Sequence, residues 1–144
     1  LILLFKMLCL FFGGDTYRSR QGLREFLERS DKNDFFSPLR FIPDGFDESA
    51  FSELLRAKNL FAEKHTVICE SLLKEADNRD FILNNLKFCS SSENLFVFWE
   101  ETPEAAVLAI FKKYSQKMEE FKSLPLGRLR VWLEEELEKR KIHH

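Results

Sequence analysis

Five short apolar runs, separated by stretches in which apolar residues recur at helical spacing, organise the chain. The first, Met7 to Phe12, shows no alternation and stops at Gly13-Gly14. Such a run reads as a strand buried on both faces, the kind found in sheets that helices cover on each side. Gly13 and Gly14 permit a turn that a β-carbon would obstruct. Asp15 or Thr16 suits the N-cap of the helix that follows, on which Tyr17, Leu23, Phe26 and Leu27 form one stripe.

A polar stretch from Ser30 to Pro38 leads to a second strand, Leu39 to Pro43. Its charge at Arg40, its partial alternation and its closing proline suit a sheet edge. Asp44-Gly45-Phe46 makes a turn, and Asp47 or Ser49 caps a helix with Phe51, Leu54 and Leu55 at i, i+3 and i+4. That helix runs on through Lys64, and His65 to Glu70 is the third strand. Ser71 to Asp77 reads as a loop or short helix, after which Asn78 caps a helix from Arg79 to Phe88 with Phe81, Ile82, Leu83 and Leu86 as its apolar residues. Ser90 to Glu93 breaks this helix, and Asn94 to Trp99 reads as the most buried strand. Thr102 as N-cap and Pro103 in the first turn open a further helix whose apolar face includes Ala106, Leu108, Ile110 and Phe111. Lys117 to Phe121 is a weak fifth strand and a second edge candidate. From Leu124-Pro125 onward, Leu129, Trp132, Leu133 and Leu137 repeat at helical spacing.

Strands near residues 7, 39, 65, 94 and 117, with helices between most of them, predict an α/β fold: a doubly wound domain with a mainly parallel five-stranded sheet. At 144 residues the chain is about one domain. Sixteen Phe and 44% apolar residues supply its core, while 32% charged residues keep the surface soluble. The net charge of −2 argues against a domain that grips nucleic acid by itself, so contact with DNA falls to partners. Cys9, Cys69 and Cys89 are odd in number and lack C-x-x-C spacing; they read as buried small hydrophobes of a reducing compartment. The run from Leu1 to Phe12 is too short for a bilayer, which takes roughly 20 residues, and has neither the basic n-region nor the cleavage site of a signal peptide. Met7 reads as the native start with Leu1 to Lys6 upstream of it, a lengthened first strand being the alternative. His143-His144 reads as a truncated tag or as natural residues, and lacks the i, i+4 spacing of a helical metal pair.

A strand that ends in glycines before a helix is where P-loop proteins hold phosphate. A Walker A loop needs G-x-x-x-x-G-K-[ST], and counting from Gly13 the last three places hold Arg18, Ser19 and Arg20. The dinucleotide pattern G-x-G-x-x-G fails at Asp15 and Arg18. Asp15 also brings a negative charge to the place of a triphosphate. Gly13, Gly14, Asp15, Thr16 and Arg18 therefore make a degenerate phosphate loop in a nucleotide-binding framework. The strand ends carry Gly13-Gly14-Asp15, Glu70 and Glu100-Glu101, an acidic rim that would repel phosphate. A phosphoacceptor receiver domain also gathers acids there, but it wants an Asp where Glu70 stands. No nucleophilic centre emerges, since the one internal histidine, His65, starts a strand and no cysteine has a basic neighbour in sequence.

The segment Phe12-Gly13-Gly14-Asp15-Thr16-Tyr17-Arg18-Ser19-Arg20 resembles the start of the delta subunit of bacterial DNA polymerase III, the clamp-loader subunit that opens the β sliding clamp. The likeness extends through most of the chain. It implies a fold of P-loop NTPase/AAA+ type without a working P-loop, no ATP hydrolysis of its own, no cofactor, no metal and a cytoplasmic place at the replisome. Residues 1–123 would be the clamp-contacting AAA+-like domain, and 124–144 the start of a truncated lid domain. In that family ATP binds the motor subunits, and association with gamma/tau and delta prime runs through further domains. The segment Asn59-Leu60-Phe61-Ala62 resembles the clamp-contacting stretch, which makes Leu60 and Phe61 a wedge beside Asn59 and Lys58, the latter standing where the family can have an apolar residue. The alternative is that Leu60 and Phe61 pack a helix end on the sheet. Glu100-Glu101 stand where an AAA+ ATPase would carry its Walker B acids; a Glu pair can hold Mg²⁺, but with no P-loop lysine they read as solvated carboxylates. A function from a different class is a small nucleotide-binding switch or ATPase with an unconventional loop at Gly13 to Arg20.

Overall fold

The computed structural model describes residues 8–30, 36–56, 64–123 and 126–142. Strands β1 (Leu8–Phe12), β2 (Phe36–Phe41), β3 (His65–Glu70), β4 (Leu95–Glu100) and β5 (Lys117–Glu120) alternate with helices α1 (Thr16–Ser30), α2 (Glu48–Arg56), α3 (Ala76–Ser91), α4 (Ala105–Tyr114) and α5 (Leu126–Ile142). The strands form one sheet in the order β2-β3-β4-β1-β5, with every neighbouring pair parallel. The α/β class and the parallel sheet read from the sequence are present, and β2 and β5 occupy the edges as expected.

Parallel crossovers are right-handed in nearly all folds. From β1 to β2 the chain moves one way across the sheet; from β2 to β3, β3 to β4 and β4 to β5 it moves the other way. One hand therefore puts α1 on one face and α2, α3 and α4 on the opposite face, an arrangement compatible with double winding. The packing follows that division. Leu8, Leu10 and Phe12 of β1 and Phe96 and Phe98 of β4 meet Phe51, Ile82, Leu86, Val107 and Phe111 of α2 to α4. On the other face Cys9, Phe11, Val97 and Trp99 meet Leu23 of α1, with Phe26 and Leu27 at its margin. Strands covered on both faces need apolar side chains at every position, which is why β1 and β4 carry no alternation and are buried throughout.

Phenylalanine dominates the larger core. Phe41, Phe46, Phe51, Phe81 and Phe96 form a connected cluster with ring centroids 5.3–5.9 Å apart, mostly edge to face. That geometry sets ring edges against ring faces, and each pair adds about 0.5–1.5 kcal/mol beyond burial. Phe51 lies at the centre, touching four of the others.

Several boundaries differ from the sequence expectation, among them the end of β2 at Phe41 rather than Pro43 and that of α3 at Ser91 rather than Phe88. β2 starts at Phe36 and includes Pro38, with a register shift against β3 between Phe36 and Leu39; an edge strand has a side without ladder partners, so a residue lacking an N–H is tolerated there. Helix α3 starts at Ala76 with Glu75 at its N-cap, while Asn78 sits in the first turn and donates to Glu75 at 3.3 Å. The preceding loop is short because Leu72 and Leu73 drop into the core and the Ser71 N–H bonds the Trp99 carbonyl at 3.0 Å. Helix α4 starts at Ala105, after Thr102 and Pro103, and turns Val107 and Phe111 inward rather than Ala106, with Leu108 and Ile110 on the flanks. Helix α5 lies against the outer side of α1: Trp132 meets Tyr17 edge-on at 5.3 Å, and Arg140 donates to the Tyr17 hydroxyl at 2.7 Å. Tyr17 thus faces outward instead of joining the core stripe of α1.

Candidate functional site

Strands β1 and β4 are neighbours whose following helices leave to opposite faces. The space beyond their carboxyl ends is therefore the switch point at which open α/β sheets bind ligands. Gly13 follows Phe12, which pairs with Glu100, and its N–H bonds the Glu101 carbonyl; Gly14, Asp15, Thr16 and Arg18 continue from it into α1.

The loop from β1 to α1 is closed by the chain itself. Gly13 has φ +129°, a conformation that favours glycine, and a β-carbon at this position would run into the Phe121 carbonyl. The Gly13 N–H donates to the Glu101 carbonyl at 3.2 Å, that of Asp15 to the Phe121 carbonyl at 3.0 Å, and that of Thr16 to the Gly14 carbonyl at 3.1 Å. Asp15 is the N-cap: its Oδ1 accepts from the Arg18 N–H at 3.0 Å, and its Oδ2 lies 3.7 Å from the Arg18 guanidinium. A helix N-terminus attracts an anion through its free N–H groups and its dipole. Here the anion is a tethered carboxylate, and the backbone N–H groups of Gly13, Asp15, Thr16 and Arg18 already have acceptors.

The positions of the Walker lysine and hydroxyl are committed elsewhere. Ser19 is buried; its Oγ donates to the Thr16 carbonyl at 3.2 Å and accepts from the Trp99 indole N–H at 2.8 Å. The Arg20 guanidinium lies over Trp99, 3.9 Å from the ring centroid, and reaches Glu70 Oε1 at 3.3 Å. Arg40 from β2 donates to the same oxygen at 2.8 Å. The acidic rim expected from the sequence is therefore corrected at Glu70, whose charge two guanidinium groups meet.

Glu100 is corrected too. Instead of a solvated carboxylate it is 2% exposed, and its Oε2 accepts from the Leu73 N–H at 3.2 Å. Burial pushes its carboxyl up from the ordinary 4.5 to about 7, against the lowering effects of the Leu73 and Leu72 N–H groups and the Lys74 ammonium. Beside it opens a cavity of about 250 Å³, bounded by Leu73, Lys74, Arg79, Thr102, Glu104 and Val107 among others. Ser71, at the carboxyl end of β3, holds φ +57°, and such strained backbone concentrates at ligand sites.

Lys58, Asn59, Leu60 and Phe61 lie outside the described residues. His65 sits at the amino end of β3, away from this rim, with its backbone N–H bonded to Asn94 Oδ1 at 2.8 Å. Cys9, Cys69 and Cys89 are buried free thiols, as the sequence led one to expect, and burial raises the pKa of each. Among the described residues no group of three or more His, Cys, Asp or Glu is placed to hold a metal, and no helix is long and apolar enough to cross a membrane. The receiver alternative is excluded by topology: that class has the strand order 2-1-3-4-5, whereas β1 here lies between β4 and β5. Sequence reasoning missed the bond from Trp99 to Ser19, since their alignment requires knowing which face α1 covers. It also missed the burial of Glu100, although a charged residue ending an unbroken apolar run was a usable signal. Comparison with known proteins finds no matching family model and no matching curated protein.

Proposed function

We propose that this chain is the clamp-contacting N-terminal domain of a delta-type subunit of a DNA polymerase III clamp loader. It would bind and help open the β sliding clamp during DNA replication, in the cytoplasm at the replisome, without hydrolysing ATP. The sheet would be of P-loop NTPase/AAA+ type, residues 124–144 the beginning of the lid, and contact with gamma/tau and delta prime the task of the domains that follow it. DNA would be met only through these partners.

The observation that carries this reading is the loop of Gly13 to Arg18, which follows β1 at the place of a phosphate loop yet is capped by its own Asp15 carboxylate and tied to Phe121. Such a loop supports an adaptor that keeps the framework of an ATPase while leaving ATP to its partners. The mechanism is differential binding: a Leu60–Phe61 wedge that fits the open ring better than the closed one shifts the clamp toward opening. Apolar anchors of this kind dominate interfaces at about 2 kcal/mol or more each.

The test is surface plasmon resonance of the chain against the sliding clamp of its own organism, beside a Leu60→Ser/Phe61→Ser double variant. Binding by the parent and its loss in the variant support the wedge; absence of binding by the folded parent refutes the proposal. Calorimetry with ATP and Mg²⁺ addresses the competing nucleotide switch. Micromolar binding that disappears in Arg18→Ala would overturn the adaptor in favour of that switch.

A further inference from the structure

We propose that the cavity at the carboxyl ends of β3 and β4 is a binding site for a small phosphate-type oxyanion, held by Lys74, Arg79 and Thr102. The cavity lies on the α3 and α4 side of the sheet, with Leu73 and Val107 among its walls. It is therefore separate from the Gly13–Arg18 loop, which leads into α1 on the other face.

Three observations point to such a ligand. First, the rim cations described above have carboxylate partners: Arg18 has Asp15, and Arg20 and Arg40 share Glu70. Lys74 and Arg79 line a concave surface together, yet neither is in an ion pair with any described residue. The carboxyl groups lining the same cavity are Glu100, on which the Lys74 charge acts, and Glu104; with Glu100 protonated the two cations face one carboxylate, which suits an anion from outside. Second, the volume of about 250 Å³ lies below the range of roughly 300–1,000 Å³ typical of drug-sized ligands. It suits inorganic phosphate or a short phosphate monoester better than a whole nucleotide. Third, the Glu100 carboxyl in the wall need not oppose an anion. The charged and titratable groups around it are Cys69 on β3, Lys74 in the loop, Arg79 on α3 and Glu104 before α4. Burial holds its proton up to about pH 7, so in acidic solution it is a neutral acid that can donate O–H to a phosphate oxygen. Lys74 and Arg79 then outweigh Glu104 by one positive charge.

The experiment is an amide NMR titration of the full chain with inorganic phosphate near pH 6, at constant ionic strength set with sodium chloride. Saturating shifts centred on Leu73, Lys74 and Thr102, with dissociation constants in the millimolar range, are expected. The Lys74→Ala/Arg79→Ala variant should bind about tenfold more weakly or worse at an unchanged melting temperature. Because Lys74 is exposed, the single Lys74→Met variant retains the fold and supplies the same comparison if the double variant does not. A parallel titration with glycerol 3-phosphate distinguishes sources: tighter binding than inorganic phosphate identifies an ester, weaker binding the free ion. No saturation, saturation centred on Gly13 to Arg18, or equal affinity in a folded variant would overturn the site. None of these outcomes depends on clamp binding.

Discussion

Replacing Glu100 by glutamine separates the charge of this side chain from its shape. The carboxyl is 2% exposed and takes its proton at about 7 in the fold, against an ordinary value of 4.5. Between those two values the folded chain holds a proton that the unfolded chain has released. Stability is therefore highest below about pH 4.5 with respect to this group, falls as pH rises toward 7, and levels off above it. Each pH unit of displacement is worth about 1.4 kcal/mol, so the ionised carboxylate costs the fold about 3 kcal/mol at pH 8. A glutamine keeps an oxygen for the Leu73 N–H and carries no charge. At roughly 2–4 °C per kcal/mol for a domain of this size, Glu100→Gln should melt about 10 °C above the parent at pH 8, with the gap closing near pH 5. Thermal unfolding followed by far-ultraviolet circular dichroism from pH 5 to 8 reads this directly, and taking the difference removes groups common to both proteins. Parallel profiles, with a gap that does not change with pH, would refute the reasoning.

Phe51→Ala should cost about 3–5 kcal/mol in urea denaturation, because the ring is fully buried and anchors the aromatic cluster; a loss under about 1.5 kcal/mol would mean that the cluster closes over the gap. Gly13→Ala should destabilise by about 2 kcal/mol or more, since it meets both the φ of +129° and the Phe121 carbonyl. Gly45→Ala, at φ +73° with nothing within 4 Å of the new β-carbon, should cost only about 1–2 kcal/mol, and equal losses would dismiss the role of Phe121. All three cysteines should resist a disulfide reagent at pH 8 in the folded chain, because each thiol is buried with its pKa raised, that of Cys9 to about 11. Fast labelling of any one without unfolding would contradict this.

What sequence reasoning located well was whatever a local pattern determines. β1, β3 and β4 are apolar enough to be read directly, and Asp15 and Asp47 serve as N-caps, the latter accepting from the Ala50 N–H at 3.1 Å. The edge positions of β2 and β5 followed from Pro43, Arg40 and the sparse apolar content of Lys117 to Phe121. What it could not locate depends on residues far apart in the chain. The pairing of Glu70 with Arg20 and Arg40, and the seat of Arg20 on Trp99, join segments whose adjacency is set by strand order. That the loop after β1 lacks the Walker residues was legible in the sequence. Its physical form, a loop occupied by Asp15 and hooked to Phe121, was not, because it arises where β1 and β5 lie side by side.

That adjacency also governs how the molecule can be made. β1 is drawn from the first residues of the sheet, yet its two neighbours are β4 and β5, with Leu8 opposite Phe96 and Cys9 opposite Lys117. A chain emerging from the ribosome must carry the five apolar residues Leu8 to Phe12 unpaired until β4 has been synthesised. β2 and β3 can pair before then, but only as a two-stranded fragment lacking its central strands. Folding is therefore a late and collective event, slow in the way non-local pairing makes sheets slow. During synthesis the first strand is the segment most in need of shelter from other chains.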